Sequence, residues 1–297
     1  MAAAAAAVLG ALALPWLLMG MRRLAGKPII PYQPRQAVPW GGRHVLLMVV
    51  LYFALSAVAV AIVSALPAAA APRPDKAAAA NALNPIAQML LAAHNDPWVM
   101  LAAILAAVVA APMVEEFFFR VLLQGWLESL ERRHRRMVRL LWPLLPCGFG
   151  PIVLVSLLFG VMHFRIAKVE QPVDAIVAMT LADAVAKLLA MAAIIAVLRV
   201  RHGAAAADFG WVPQRLASDV GLGLLAFLAM LPPLYLLLYG FQLLLPATIA
   251  PDPVPLFFFA LVLGTLYYRT HRLAPSVVTH AALNATTLLL LWSGMVQ

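Results

Sequence analysis

The chain has 297 residues, 65% of them hydrophobic and 11% charged, with a mean hydropathy of +0.94; soluble globular chains carry roughly a quarter charged residues, so composition excludes an ordinary water-soluble domain and predicts an integral membrane protein. The net charge of +9 does not point to nucleic acid, because the bases cluster in short stretches between apolar runs, as in the positive cytoplasmic loops of membrane proteins. The single cysteine, Cys147, excludes intramolecular disulfides and CxxC metal sites and is read as a small apolar residue.

A spanning helix needs about 20 predominantly apolar residues, and the first such run covers residues 3–21. Its bases, Arg22, Arg23 and Lys27, follow the run, the opposite polarity to a secretory signal peptide. The run is therefore read as a first spanning helix with its N-terminus outside. The second run is 45–66, followed by the Pro/Ala-rich linker 67–84, to which no function is assigned. The third run, 98–128, exceeds one crossing: a helix from Trp98 to Leu130 reaches about 50 Å, against a hydrocarbon core of about 30 Å. It must tilt, kink at Pro112 or emerge from the bilayer. Runs at 149–166, 173–198, 219–245, 254–268 and 273–293 complete a count of eight.

Bases accumulate in alternate loops. Arg22 to Arg43, the run from Arg132 to Arg139, Arg199 to Arg215, and Arg269 with Arg272 fall on one side, which the positive-inside rule makes cytoplasmic. The intervening loops are poorer in bases, although Arg165 and Lys168 fall on the nominally outer side. The predicted fold is all-α: a polytopic transmembrane helix bundle of about eight spanning helices, both termini outside, in a bacterial cytoplasmic membrane. Residues 1–96 form a first region of two helices and the linker, and residues 97–297 a second that holds every motif described next. His44, His94, His134, His202 and His271 lie in loops or at span ends and are expected to be solvated.

An ionisable residue near the bilayer centre costs about 2.5–3.5 kcal/mol on the insertion scale, so each one inside an apolar run is a candidate functional group. The third run contains Glu115, Glu116 and Arg120. Glu116 and Arg120, at i,i+4, can pair on one helix face, whereas Glu115 is rotated by about 100° and lacks that partner. A self-neutralised structural pair accounts for two of these residues and leaves Glu115 unexplained. His163 follows Phe159 by four residues near the end of the fourth run, and His280 precedes Asn284 by four in the last. Interhelical hydrogen bonding is the structural alternative for each. Together, these groups suit water-mediated amide hydrolysis. A buried carboxylate can serve as general base, and imidazole and carboxamide donors can stabilise an oxyanion. No Ser/His/Asp set is identifiable, and the HExxH zinc motif is absent.

The series EExxxR, FxxxH and HxxxN, in that order on separate membrane segments, resembles the family of CAAX prenyl proteases and bacteriocin-processing enzymes. The likeness runs from about Ala110 to the C-terminus and includes the approach Gly264 to His280 into the last helix. It implies that residues 97–297 are an intramembrane protease core. Glu115 would activate water with help from His163, while His280 and Asn284 form the oxyanion-stabilising face. Glu116, Arg120 and Phe159 would support them. The favoured chemistry is metal-free, with no cofactor; the alternative places zinc on Glu115, His163 and His280. The expected partner is a membrane-associated protein or peptide substrate, cleaved near its end in a maturation step.

The chain departs from the family between His163 and His280, where two further spans and a polar loop, Asp208-Phe209-Gly210-Trp211, intervene. Asp183 and Lys187, at i,i+4, can neutralise one another or line the substrate entrance. The competing function class is a transporter or scaffold whose buried polar residues line a solute path.

Overall fold

The computed structural model describes residues 2–34, 37–65, 89, 96–135, 146–163, 173–244 and 253–293. Among the described residues eight helices follow one another: α1 Ala2–Leu24, α2 Gly42–Ala65, α3 Pro97–Arg133, α4 Phe149–Met162, α5 Val173–His202, α6 Leu216–Leu244, α7 Pro253–Thr270 and α8 Leu273–Trp292. The described residues contain no strand, and the chain is an integral, multi-pass, all-helical membrane protein. Six helices, α2, α3, α5, α6, α7 and α8, are long and apolar enough to cross a bilayer. The first expected span coincides with α1. The fourth falls on α4, whose 14 residues reach only about 21 Å. Large apolar side chains stand exposed along the long helices, among them Phe53, Val185, Leu189, Leu236 and Leu289. In water such a surface is an association liability; facing lipid, it carries no penalty. The linker 67–84, the outer-side bases Arg165 and Lys168, the end of the basic run from Arg136, and His94 lie outside the described residues.

The chain forms two compact units interleaved along the sequence. One comprises residues 1–38, 119–164 and 205–279. Within it α1 packs on α6, α6 on α7, and α7 on α4, where Gly160 admits the Pro253 carbonyl to 2.8 Å from the position a Cβ would take. The corner between α7 and α8 is tightly built. His271 turns the chain at φ 48°, the buried Arg272 pairs with the buried Asp219 of α6 at 2.5 Å, and the Leu273 N–H donates to the Gly210 carbonyl at 3.0 Å. The polar loop Asp208–Trp211 thus braces the start of α8.

The other unit comprises residues 39–118, 165–204 and 280–297. Here α2 lies along α5, and the first half of α3 packs on α5. Its core gathers Met89, Val99, Ala102, Ala103, Ile176 and Leu288. Two of the histidines expected in solvent are buried, one in each unit. His44 takes the Gly41 N–H on Nδ1 at 3.1 Å and sets Nε2 2.9 Å from Nε2 of His202, so the ring is drawn into the α2/α5 contact. His271 is enclosed at the α7–α8 corner beside Tyr267 and Tyr268. His134 is exposed.

Candidate active site

Helix α3 runs on through Pro112 without a break. Instead the helix widens: Ile104–Ala110 and Phe117–Gln124 are π-helical, on either side of a regular turn Ala111–Glu116. Such widened turns occur mostly as short interruptions of α-helices, often at functional sites. The Ala111 N–H donates to the Ala106 carbonyl, an i→i−5 bond. In that register the Ala107 carbonyl awaits the N–H of residue 112, and proline has none. The amide of Asn284 supplies it, with Nδ2 donating to the Ala107 carbonyl at 2.7 Å. The proline in the acidic helix and the asparagine of the last helix are therefore two halves of one hydrogen-bonding arrangement. One of the two Nδ2 hydrogens serves this bond.

One helical turn along α8 from Asn284 lies His280, buried, with Nδ1 3.1 Å from Oε1 of Glu116. A carboxylate only accepts when ionised, so Nδ1–H donates, and Nε2 faces the other way, 4.0 Å from Oε2 of Glu115. Both carboxylates thus flank one imidazole, each on its own ring nitrogen. The sequence reading had set Glu115 apart from its neighbour by 100° of helix rotation; a ring standing between the two directions reaches both. The two are not equivalent, since Glu116 is sealed while Glu115 is 21% exposed.

Beside them, α5 contributes a cluster only half visible from spacing. Lys187 Nζ pairs with Asp183 Oδ2 at 2.8 Å, as its spacing suggested. The other oxygen, Oδ1, accepts from the Tyr52 hydroxyl of α2 at 2.9 Å, with the ammonium 5.8 Å from the Tyr52 ring centre. Lys187 is within Coulombic reach of Glu115. Tyr52 was missed because an aromatic in an apolar run carries no signal of its own.

The remaining motif residues lie in the other unit. His163 caps the C-terminal end of α4, its Nδ1–H donating to the Phe159 carbonyl at 2.7 Å and its ring 4.4 Å from that of Phe159. Arg120 is fully buried with its guanidinium carbon 5.8 Å from the Phe159 ring centre. Arg120 sits within the π-helical stretch Phe117–Gln124. Two buried residues that spacing did not single out continue this polar line along α3. Gln124 donates from Nε2 to Oε1 of Glu128 and to the Gly264 carbonyl, each at 3.0 Å. Glu128 in turn stands 4.0 Å from Nδ1 of His271.

Residues 97–286 match the family model described as Rce1-like type II CAAX prenyl endopeptidase. The chain belongs to this family. The match begins at the first residue of α3 and takes in all three motifs, leaving α1 and α2 outside it. No curated protein and no solved structure matches the chain. Family membership makes the protein a CAAX-type peptidase of the membrane and accords with a membrane-associated protein as its substrate.

Proposed function

We propose that the protein is an intramembrane endopeptidase of a bacterial cytoplasmic membrane that hydrolyses a peptide bond of a membrane-associated protein or peptide with water activated by Glu115. The observation that carries this reading is the inequality of the two carboxylates around His280: Glu116 is fully buried against Nδ1, whereas the Glu115 side chain, 4.0 Å from Nε2, is 21% exposed. A water between Glu115 and His280 can give its proton to the carboxylate as it attacks the carbonyl carbon, and the base returns that proton to the leaving amine. Glu116 orients the imidazole, as a buried carboxylate orients the histidine of a hydrolytic triad. The imidazolium form of His280, which donates from Nε2 as well as Nδ1, and the second amide hydrogen of Asn284 stabilise the oxyanion. His163 assists the water, and Arg120 with Phe159 holds the helix end from which His163 projects.

Zinc on Glu115, His163 and His280 is the alternative chemistry. Metal removal, described below, separates the two.

The test is cleavage of membrane peptides in cells carrying wild-type protein or Glu115→Gln. General-base catalysis contributes about 10²–10⁴-fold, so the variant accumulates an uncleaved species while remaining folded and inserted. Glu116→Gln loses about 10–100-fold, the usual effect of removing an orienting partner. Equal activity of Glu115→Gln and wild type would sink the mechanism.

A further inference from the structure

Helix α1, outside the family match, does not close fully on the core. Between α1, α6 and α7 lies a half-open cavity of about 200 Å³. Its α6 wall is low because Ala226, Ala229 and Pro233 occupy one face at i, i+3 and i+7. Trp16 and Met19 of α1 form the opposite wall, and Ile29 and Ile30 close one end. That end is pinned: Arg269 donates to the Ile30 carbonyl at 3.0 Å and accepts from the Gln33 N–H at 2.8 Å through its own carbonyl. The volume is below the roughly 300–1,000 Å³ of a drug-sized site. It has room for a single chain.

Among the described lining residues all are apolar except Arg22. Arg22 is held in place by one hydrogen bond, from Nε to the Pro28 carbonyl at 3.1 Å, which engages one of the five guanidinium donors. Arg23 and Lys27 follow it in the same exposed segment. No carboxylate is among the described residues of the lining. An apolar slot with a single fixed cation at one end, cut into the lipid-facing side of a helix pair, is complementary to one kind of molecule: a hydrocarbon chain ending in an anion.

We propose that this groove binds an anionic phospholipid, one acyl chain lying between α1 and α6 and the phosphate resting on Arg22. Basic residues beside a spanning helix attract anionic headgroups, and guanidinium matches a phosphate with paired donors. Leu222 lines the groove, and its neighbour Gly223 accepts the Thr279 hydroxyl at 2.9 Å.

The test uses the full chain in nanodiscs of equimolar phosphatidylglycerol and phosphatidylcholine, released into detergent and weighed intact by native mass spectrometry. Wild-type protein retains one lipid with a preference for phosphatidylglycerol of roughly tenfold. Arg22→Gln, a change at an exposed side chain, keeps a bound lipid without headgroup preference. Ala229→Phe fills the slot and loses the adduct with either headgroup, its folding checked by thermal unfolding. Equal retention of the two lipids by wild type, or an undiminished preference in Arg22→Gln, overturns the proposal. So does displacement of phosphatidylglycerol from wild type by an isoprenylated peptide, which would make the groove part of substrate binding.

Discussion

Asn284→Ala removes the amide donor on the Ala107 carbonyl, which Pro112 cannot serve. A buried acceptor left unsatisfied costs about 1–3 kcal/mol, but polar contacts between membrane helices average only about 0.6 kcal/mol and reach about 1.7. Asn284 is half-buried, so a loss near 1 kcal/mol is expected, about fivefold in the folding equilibrium. The decisive comparison is made in a Pro112→Ala background. There residue 112 regains its N–H, the i→i−5 bond to Ala107 can form, and Asn284→Ala should cost less than about 0.5 kcal/mol, the limit within which independent substitutions add. All four proteins are unfolded by SDS titration in mixed micelles and followed by tryptophan fluorescence. Equal loss in both backgrounds would refute the account of α3 given above. Cleavage adds a second readout. If the other amide hydrogen of Asn284 meets the oxyanion, Pro112→Ala restores stability to Asn284→Ala without restoring activity; recovery of both would reduce Asn284 to an anchor.

Three further outcomes follow from the same geometry. Gly210→Ala places a Cβ 2.8 Å from the Leu273 nitrogen at φ +73°, so it should destabilise the protein by at least 1–2 kcal/mol, roughly the left-handed penalty alone, and reduce cleavage by loosening the start of α8; wild-type thermal stability in this variant would show that the loop bears nothing. Lys187→Met leaves Asp183 with Tyr52 alone and should cost about 0.5–1.5 kcal/mol in the same SDS titration, much of it recovered when Asp183→Leu is added, because a matched apolar pair replaces an isolated charge. Exhaustive chelation followed by repurification should leave the cleavage rate unchanged, and a loss restored by added zinc would transfer the reaction to the metal-dependent alternative.

The identity of the candidate residues was legible in the sequence because lipid makes each polar group conspicuous. Glu115, Glu116, Arg120, His163, His280 and Asn284 stand out against apolar neighbours, and the order of their motifs leads to the family that residues 97–286 match. Groups that lie near span ends or in aromatic company were less legible. Tyr52, His44, Glu128 and His271 have no periodic signature, and what makes them important is a partner on another helix. The loop at Asp208 reads as a polar insertion until Gly210 is seen against the α7–α8 corner.

Hydropathy is a sum over adjacent residues, so membrane embedding, the helical class and the approximate boundaries of the helices follow from the chain by itself. Side-chain direction is not such a sum. It depends on the number of residues in each turn, and the π-helical stretches beside Pro112 shift that number where the functional groups sit. Only the tertiary structure decided that one imidazole stands between two glutamates, that Glu116 is fully buried while Glu115 is partly exposed, and that Asn284 completes a hydrogen bond which a proline left unmade.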